Sequence, residues 1–175
     1  MLDNQMIISK DIQKKIPRDY FFVQGNIELD SAYFINIINQ SCNSKDNLNK
    51  KTNIKGNMTP FNFFKNDSNF LKLMPIFMDY IDENVDLPYY SLFDAWGFSN
   101  KPSEKTTFHD HLGSIWSGVI YLNSCNQELH FPEINQSIKP EEGSFAIFSS
   151  FLKHGCYRNK DNVEKFGISF NMRKS

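Results

Sequence analysis

A succession of short β-type segments fills the chain from Leu87 onward. The segments are rich in branched and aromatic residues, and turn residues such as glycine, proline and asparagine divide them. Many short strands separated by turns are typical of a jelly roll, in which two antiparallel sheets pack face to face. We predict eight strands, over residues 89–98, 105–111, 115–122, 128–131, 137–139, 144–148, 151–157 and 165–172.

The first half of the chain has helical rather than β-type patterns. Asp30 is placed to cap a segment whose apolar residues follow helical spacing, and Asp67 is placed to begin a second such segment. Pro75 must start the main part of that second helix or kink it. A strand at Tyr20–Val23 precedes the first helix, and we expect both helices to pack against the outer face of one sheet.

The predicted organisation is a single domain with a mainly β fold. At 175 residues the chain is long enough to bury a sizeable core without disulfides or structural metal ions. We expect residues 1–86 to form an N-terminal support of helices and a strand, and residues 87–175 to form the jelly-roll core. A polar segment at 42–57 separates the two helices, and together with 99–106 it is where we expect substrate contacts.

Composition excludes several classes of partner. The formal net charge is -1 and neither sign forms a long block, which argues against nucleic acid as a partner. Apolar runs are too short to span a bilayer, and no secretory signal is visible at the N-terminus. Three scattered cysteines, Cys42, Cys125 and Cys156, suit free thiols in a reducing compartment. We therefore expect a cytoplasmic protein with no nucleic-acid or membrane partner.

Three of the four histidines are spaced as ligands of one metal ion. His109 and His111 lie two positions apart in a predicted strand, so both side chains share a face and Asp110 should point the other way. His154 follows 43 residues after His111, in another predicted strand. Three ligands on one face of an octahedron leave positions free for a cosubstrate and dioxygen, as in non-heme Fe(II) oxygenases. Asp110 stays an alternative ligand if the strand ends early and the chain turns there.

The order of these motifs resembles the Fe(II)- and 2-oxoglutarate-dependent oxygenases, especially the small prolyl-hydroxylase-like members of bacteria and bacteriophages. The resemblance covers residues 96–172. It rests on His109-Asp110-His111, Ser117–Asn123, Gly143 with Phe148, His154, and Lys165 ahead of Ile168–Asn171. It implies a double-stranded β-helix of the jelly-roll or cupin kind, in which His109, His111 and His154 bind Fe(II) and 2-oxoglutarate is the cosubstrate.

The resemblance also implies roles for Lys165 and Tyr121. A basic residue about ten positions after the last histidine pairs with the distal carboxylate of 2-oxoglutarate in this family, and Lys165 lies eleven positions after His154. Lysine offers a compact point charge where the more usual arginine offers two parallel N–H groups. Tyr121 matches a tyrosine that binds the same carboxylate. His111 replaces the usual carboxylate ligand, which raises the net charge of the metal centre by one unit.

The function implied is a dioxygenase that hydroxylates a C–H bond of a peptidyl proline or a small molecule, with no catalytic side chain beyond the metal ligands. A three-histidine site also suits a cupin-type dioxygenase acting directly on its substrate, or a zinc hydrolase. A catalytically silent jelly roll that binds a ligand or a protein is the other alternative. Lys165 as a solvated strand end and Tyr121 as a core residue also stay open. The sequence does not indicate an oligomeric state.

Overall fold

Two antiparallel sheets form the framework of the computed structural model, which describes residues 5–9, 19–43, 54–86 and 89–175. Strands are numbered along the chain. The seven-stranded sheet has the spatial order β1 (Gln5–Ser9), β2 (Tyr20–Asn26), β10 (Ser144–Ser149), β7 (Trp116–Tyr121), β12 (Lys165–Lys174), β5 (Tyr90–Asn100) and β4 (Asn57–Met58). The five-stranded sheet has the order β3 (Ile54–Lys55), β6 (Lys105–His109), β11 (His154–Cys156), β8 (Leu129–Phe131) and β9 (Gln136–Ile138). The predicted mainly β jelly roll is confirmed.

The described part of the N-terminal half contains three helices, α1 (Ser31–Cys42), α2 (Ser68–Leu71) and α3 (Met74–Asp82). The predicted caps are present. The Asp30 carboxylate accepts a hydrogen bond from Tyr33 N at 3.0 Å, and Asp67 accepts one from Phe70 N at 2.8 Å. Pro75 lies in the first turn of α3, where its missing N–H costs nothing. In the described part of the chain, no helix has the length and apolar character needed to cross a membrane.

The helices cover the outer face of the seven-stranded sheet, as predicted. Apolar residues of the helices, among them Phe34, Ile38 and Phe77, form one buried cluster with the outward residues of the strands. Gly97 allows α1 to lie close to the sheet, because a Cβ atom there would come within 2.4 Å of Ile38 Cγ1. A second buried cluster fills the space between the two sheets, where Phe131 and Phe148 pack with ring centroids 4.8 Å apart.

Two predicted strands are shorter than the pattern indicated. The strand expected over 105–111 ends at His109, and the one expected over 151–157 is reduced to β11. The chain turns after His109, because Ser114 N donates to His111 O at 3.0 Å and Gly113 has a φ of 102°. Part of the polar segment 42–57 is also ordered into α1, β3 and β4, whereas its residues 44–53 lie outside the described part of the chain.

Candidate metal centre

Three histidine side chains meet at one point between the sheets. His109 and His154 are direct partners in the ladder between β6 and β11, so their rings are neighbours with centroids 4.6 Å apart. The His111 ring lies 4.9 Å from that of His109 and 5.1 Å from that of His154. One ligand atom from each residue lies within 4.8 Å of the others. The structure thus brings together the three histidines that the spacing singled out.

His111 reaches this point by a route that the sequence did not predict. It lies beyond the end of β6, in the turn, so the strand alternation that was expected to align it with His109 does not apply. A backbone hydrogen bond from His111 N to Ser150 O at 2.8 Å ties the turn to the segment ahead of β11. The strand does end before Asp110, as the alternative ligand set requires, yet Asp110 is not part of the cluster of three ligand atoms.

Hydrogen bonds fix the protonation of two of the rings. His109 Nδ1 lies 2.7 Å from Thr107 O, and His154 Nδ1 lies 2.9 Å from Leu152 O. A carbonyl oxygen only accepts, so each Nδ1 carries the proton and each Nε2 keeps its lone pair. Backbone or carboxylate partners of this kind are usual behind histidines that bind metals. The donor set therefore fits a divalent transition metal ion.

Burial keeps the imidazoles neutral. It lowers the pKa of all three histidines, and for His111 burial together with the nearby His109 lowers the pKa to about 4. The aromatic rings of Phe148 and Phe131 lie 4.7 and 5.6 Å from the ring of His154 and form an apolar wall. Because the imidazoles are already neutral, protons compete little with a metal ion for their nitrogen atoms, and the site is suited to bind a metal ion at neutral pH.

A cavity opens directly beside the histidines. Its volume is about 50 Å³, and its walls include all three histidines together with residues on the inner faces of the two sheets. These wall residues include Trp96, Phe98, Tyr121, Cys156 and Lys165. Cys156 lies two positions after His154 on the same face of β11, so the cavity extends along that strand away from the histidines.

Lys165 lies in this cavity wall as a buried cation. Its side chain is 1% exposed, so the interpretation of a solvated strand end is wrong. Its Nζ donates to Gln127 O at 3.2 Å and to Cys156 Sγ at 3.1 Å. Among the described residues no carboxylate forms an ion pair with it. Because an uncompensated buried charge is costly, the arrangement favours an anionic ligand in the cavity.

Tyr121 lies next to Lys165. Lys165 Nζ is 5.7 Å from the centroid of the Tyr121 ring. Burial raises the pKa of Tyr121 well above its usual value, so the phenol stays protonated and is available as a donor. No hydrogen bond of its hydroxyl to another described residue is present. The two residues that the sequence assigned to one ligand carboxylate therefore lie side by side in one cavity.

The two tryptophans and the fourth histidine of the chain lie in three different surroundings. Trp96 lines the cavity, and its buried Nε1 has no hydrogen-bond partner among the described residues, which leaves a donor for a ligand. Trp116 packs in the outer core with its ring 5.2 Å from that of Phe21. The ring of His130 lies 5.0 Å from that of Tyr157, and His130 is not part of the histidine cluster.

Three polar side chains on the inner face of the seven-stranded sheet form a hydrogen-bonded chain that the sequence did not predict. Ser117 Oγ donates to Asn171 Oδ1 at 2.6 Å, and Asn171 Nδ2 donates to Asp94 Oδ1 at 2.9 Å. The three residues belong to adjacent strands and are paired in register. Nothing in the sequence marks such a trio, because it exists only once three distant strands are aligned.

The segment 99–106, where substrate contacts were expected, lies at the end of the cavity that contains Lys165, since Asn100 is the ladder partner of Lys165.

Comparison with known proteins identifies the fold. Protein-family models and curated proteins give no match. The viral collagen prolyl hydroxylase vCPH of Paramecium Bursaria Chlorella virus-1, in a 2-oxoglutarate complex, matches with a TM-score of 0.66 and 17% identity over 88% of this chain and 96% of that one. A prolyl-4-hydroxylase of Pseudomonas putida matches with a TM-score of 0.66 and 13% identity over 88% and 92% of the two chains.

HygX of Streptomyces hygroscopicus, crystallised with nickel and 2-oxoglutarate, matches with a TM-score of 0.64 and 9% identity over 88% of this chain and 83% of that one. A non-heme 2-oxoglutarate-dependent epimerase, SnoN, also matches, with a TM-score of 0.63. At identities this low the matches establish the fold. The chain therefore has the fold of viral and bacterial prolyl hydroxylases and related 2-oxoglutarate-dependent oxygenases, and the predicted resemblance is confirmed at that level.

Proposed function

We propose that the chain is an Fe(II)- and 2-oxoglutarate-dependent dioxygenase that hydroxylates a C–H bond. The observation that carries the proposal is the pairing, in one buried cavity, of three neutral imidazoles with a lysine ammonium that forms no ion pair with a described carboxylate. The imidazoles suit a divalent metal ion, and the ammonium suits an anionic group of an organic ligand. The compound 2-oxoglutarate has both a metal-chelating end and a distant carboxylate, so it matches both ends of the cavity.

Each residue has a defined task in this proposal. His109, His111 and His154 hold the metal through the nitrogen atoms that face one another. Lys165 and Tyr121 bind the distal carboxylate. Lys165 does so through its charge, and the Tyr121 hydroxyl donates a hydrogen bond. Bound Fe(II) and 2-oxoglutarate supply the oxidising chemistry with dioxygen. The aromatic wall beside the histidines excludes water from the reacting centre.

The substrate in this proposal is a peptidyl proline or a small molecule. Both kinds are represented among proteins of the same fold, since vCPH is a collagen prolyl hydroxylase and HygX has been crystallised with hygromycin B.

We also propose that the helices and the jelly roll form one domain, which their shared core supports. A cytoplasmic location is supported by the three free cysteines.

The test is an anaerobic titration with Fe(II) followed by 2-oxoglutarate, in which the visible metal-to-ligand charge-transfer band is recorded. We expect a band that is absent in His154→Ala and weakened in Lys165→Met. His130→Ala is the matched control, because this histidine lies outside the cluster. Wild-type protein that binds Fe(II) but gives no band with 2-oxoglutarate would contradict the proposal.

A second function is favoured by the ligand set itself. Three imidazoles with no carboxylate are also a common donor set for zinc, with the fourth position open to an activated water molecule. The same set occurs in cupin-type dioxygenases that act directly on their substrates. Metal analysis of protein purified without a nickel column separates zinc hydrolysis, which requires bound zinc, from both dioxygenases, which require iron, and the charge-transfer band with 2-oxoglutarate separates the two dioxygenases. Absence of any metal affinity would leave a silent binding module.

A further inference from the structure

The ammonium of Lys165 is held by two acceptors that do not belong to the ligand. Gln127 O lies 3.2 Å from Nζ and Cys156 Sγ lies 3.1 Å from it. An ammonium has three N–H donors, and these two contacts use two of them. One donor and the positive charge are left for a ligand in the cavity. We call Gln127 O and Cys156 Sγ the ammonium cradle.

The cradle is rigid on its backbone side. The Gln127 side chain donates from Nε2 to Glu104 O at 2.9 Å and to Tyr157 O at 2.6 Å, which ties this stretch of chain to its neighbours. Cys156 is buried and is paired in the ladder with Thr106 of β6. Both acceptors are therefore held by contacts of their own, and together they define one position for the ammonium.

The sulfur atom also connects the cradle to the metal centre. Cys156 follows His154 by two residues on one strand, so both side chains face the cavity at a separation of about 7 Å along the backbone. A single three-residue strand therefore carries a histidine of the candidate metal centre and one acceptor of the cradle. The separation between the His154 imidazole and the Cys156 sulfur is therefore set by β11, whose ladder with β6 shifts register between these two residues.

We propose that Cys156 is a positioning residue, which holds the Lys165 ammonium at a set distance from the metal and thereby selects 2-oxo acids with a second carboxylate at the length of 2-oxoglutarate. The inference rests on the proposed function and adds to it a residue that sets cosubstrate length. When the sulfur is removed, one N–H loses its acceptor inside the protein, and the ammonium leaves its fixed position to find another. The distal carboxylate then meets a displaced charge.

The test measures binding rather than turnover. Protein loaded with Mn(II) is titrated by calorimetry with 2-oxoglutarate, with 2-oxoadipate, which is one carbon longer, and with 2-oxobutanoate, which lacks the second carboxylate. We expect Cys156→Ala to weaken 2-oxoglutarate binding about 5- to 20-fold and to leave 2-oxobutanoate binding unchanged, because sulfur is a weak acceptor and its loss displaces the ammonium without removing it. The preference for 2-oxoglutarate over 2-oxoadipate should shrink as well.

Three variants guard against a merely structural effect. Cys156→Ser keeps an acceptor at nearly the same place and should restore 2-oxoglutarate binding to within about 3-fold of wild type. Cys156→Val keeps the volume without the acceptor and should behave as Cys156→Ala does, even where the alanine variant folds poorly. Cys125→Ala is the matched control, because it truncates another buried cysteine that does not contact Lys165.

Two results overturn the inference while leaving the proposed function intact. One is equal weakening of 2-oxoglutarate and 2-oxobutanoate in Cys156→Ala, which indicates general damage to the site. The other is unchanged 2-oxoglutarate binding in Cys156→Ala when Lys165→Met is strongly impaired. Wild-type protein that binds Mn(II) and fails to bind 2-oxoglutarate overturns both the inference and the proposed function, so the two failures are distinguishable.

Discussion

The two faces of the seven-stranded sheet are built by alternate residues of the same strands, yet they differ in chemistry. In β12, Ile168 and Phe170 point outward into the core beneath the helices, whereas Lys165 and Ser169 point inward to the cavity. In β7, Ile120 points outward and Tyr121 inward. Both faces are buried. Burial on the outer face stabilises the fold, and burial on the inner face encloses the polar groups that line the cavity.

The difference shows that neighbouring residues of one strand can have separate roles. Since side chains alternate across a strand, two substitutions one position apart affect opposite faces, one the packing beneath the helices and the other the cavity. The helices seal the outer face with aromatic contacts, such as the rings of Phe77 and Phe170 at 5.2 Å. Substitutions on the two faces should therefore alter different measurable quantities.

The largest effect is expected on the inner face at His154. His154→Ala removes one of three imidazoles, and we expect metal affinity to fall by more than about 100-fold, since loss of even an outer-shell partner commonly costs 10- to 100-fold. Calorimetric titration with Mn(II) measures it, with His130→Ala as the control. Retained affinity in His154→Ala would place any metal site elsewhere.

On the outer face, Phe77→Ala should lower stability and spare the ligands. Phe77 is fully buried between Phe145 and Phe170, so its truncation should reduce the free energy of unfolding by about 3–5 kcal/mol. Denaturant unfolding measures this, and Ile76→Ala, on the same helix but 37% exposed, should change it far less. Metal affinity of the folded variant should equal that of wild type; a matching loss of affinity would break the separation of the two faces.

Lys165→Met should have the reverse profile. Because Lys165→Met removes the ammonium that the cradle holds, and a hydrogen bond to a charged group is worth about 1.5–3 kcal/mol, 2-oxoglutarate should bind roughly 10- to 100-fold more weakly. Stability should be unchanged or higher, since an unpaired buried charge is replaced by an apolar side chain. Thermal unfolding and calorimetry follow the two quantities, with the exposed Lys153→Met as control. A large drop in stability without a change in binding would show Lys165 to be structural.

The smallest effect is expected at Tyr121. Tyr121→Phe removes one neutral donor and keeps the ring, so 2-oxoglutarate binding should weaken about 3- to 10-fold while 2-oxobutanoate binding stays constant. Calorimetry with both acids measures the contrast. If the two acids bind as they do to wild type, Tyr121 is a core residue on the inner face and contributes nothing to ligand recognition.

Much of the fold follows from local sequence signals. Asp30 and Asp67 mark helix starts because a carboxylate that caps backbone N–H groups acts within three residues. The strands follow from alternation and turn residues, and the three histidines could be singled out from their spacing. The prediction that His111 lies in a strand was wrong. β6 ends at His109, and the turn that follows is held by the hydrogen bond between His111 N and Ser150 O, which joins distant segments.

The cradle and the polar chain on the inner face lie beyond sequence reasoning. Gln127 contributes a backbone carbonyl, which every residue possesses, so no side-chain pattern marks it. Cys156 shares the face of His154 because side chains alternate along β11, but its contact with Lys165 depends on the spacing between β11 and β12, which belong to different sheets. The trio of Ser117, Asn171 and Asp94 likewise depends on the register of three strands. Such contacts arise from tertiary arrangement alone.

The position of His111 outside the ladder has an evolutionary consequence. His109 and His154 are held by strand pairing, so any change that moves them must also disturb the sheet. His111 is held by a turn and one backbone hydrogen bond, neither of which depends on its side chain. Mutation at this one codon can exchange an imidazole for a carboxylate and change the charge of the centre by one unit. The turn is therefore the place where the ligand set could change while the ladder between β6 and β11 is kept.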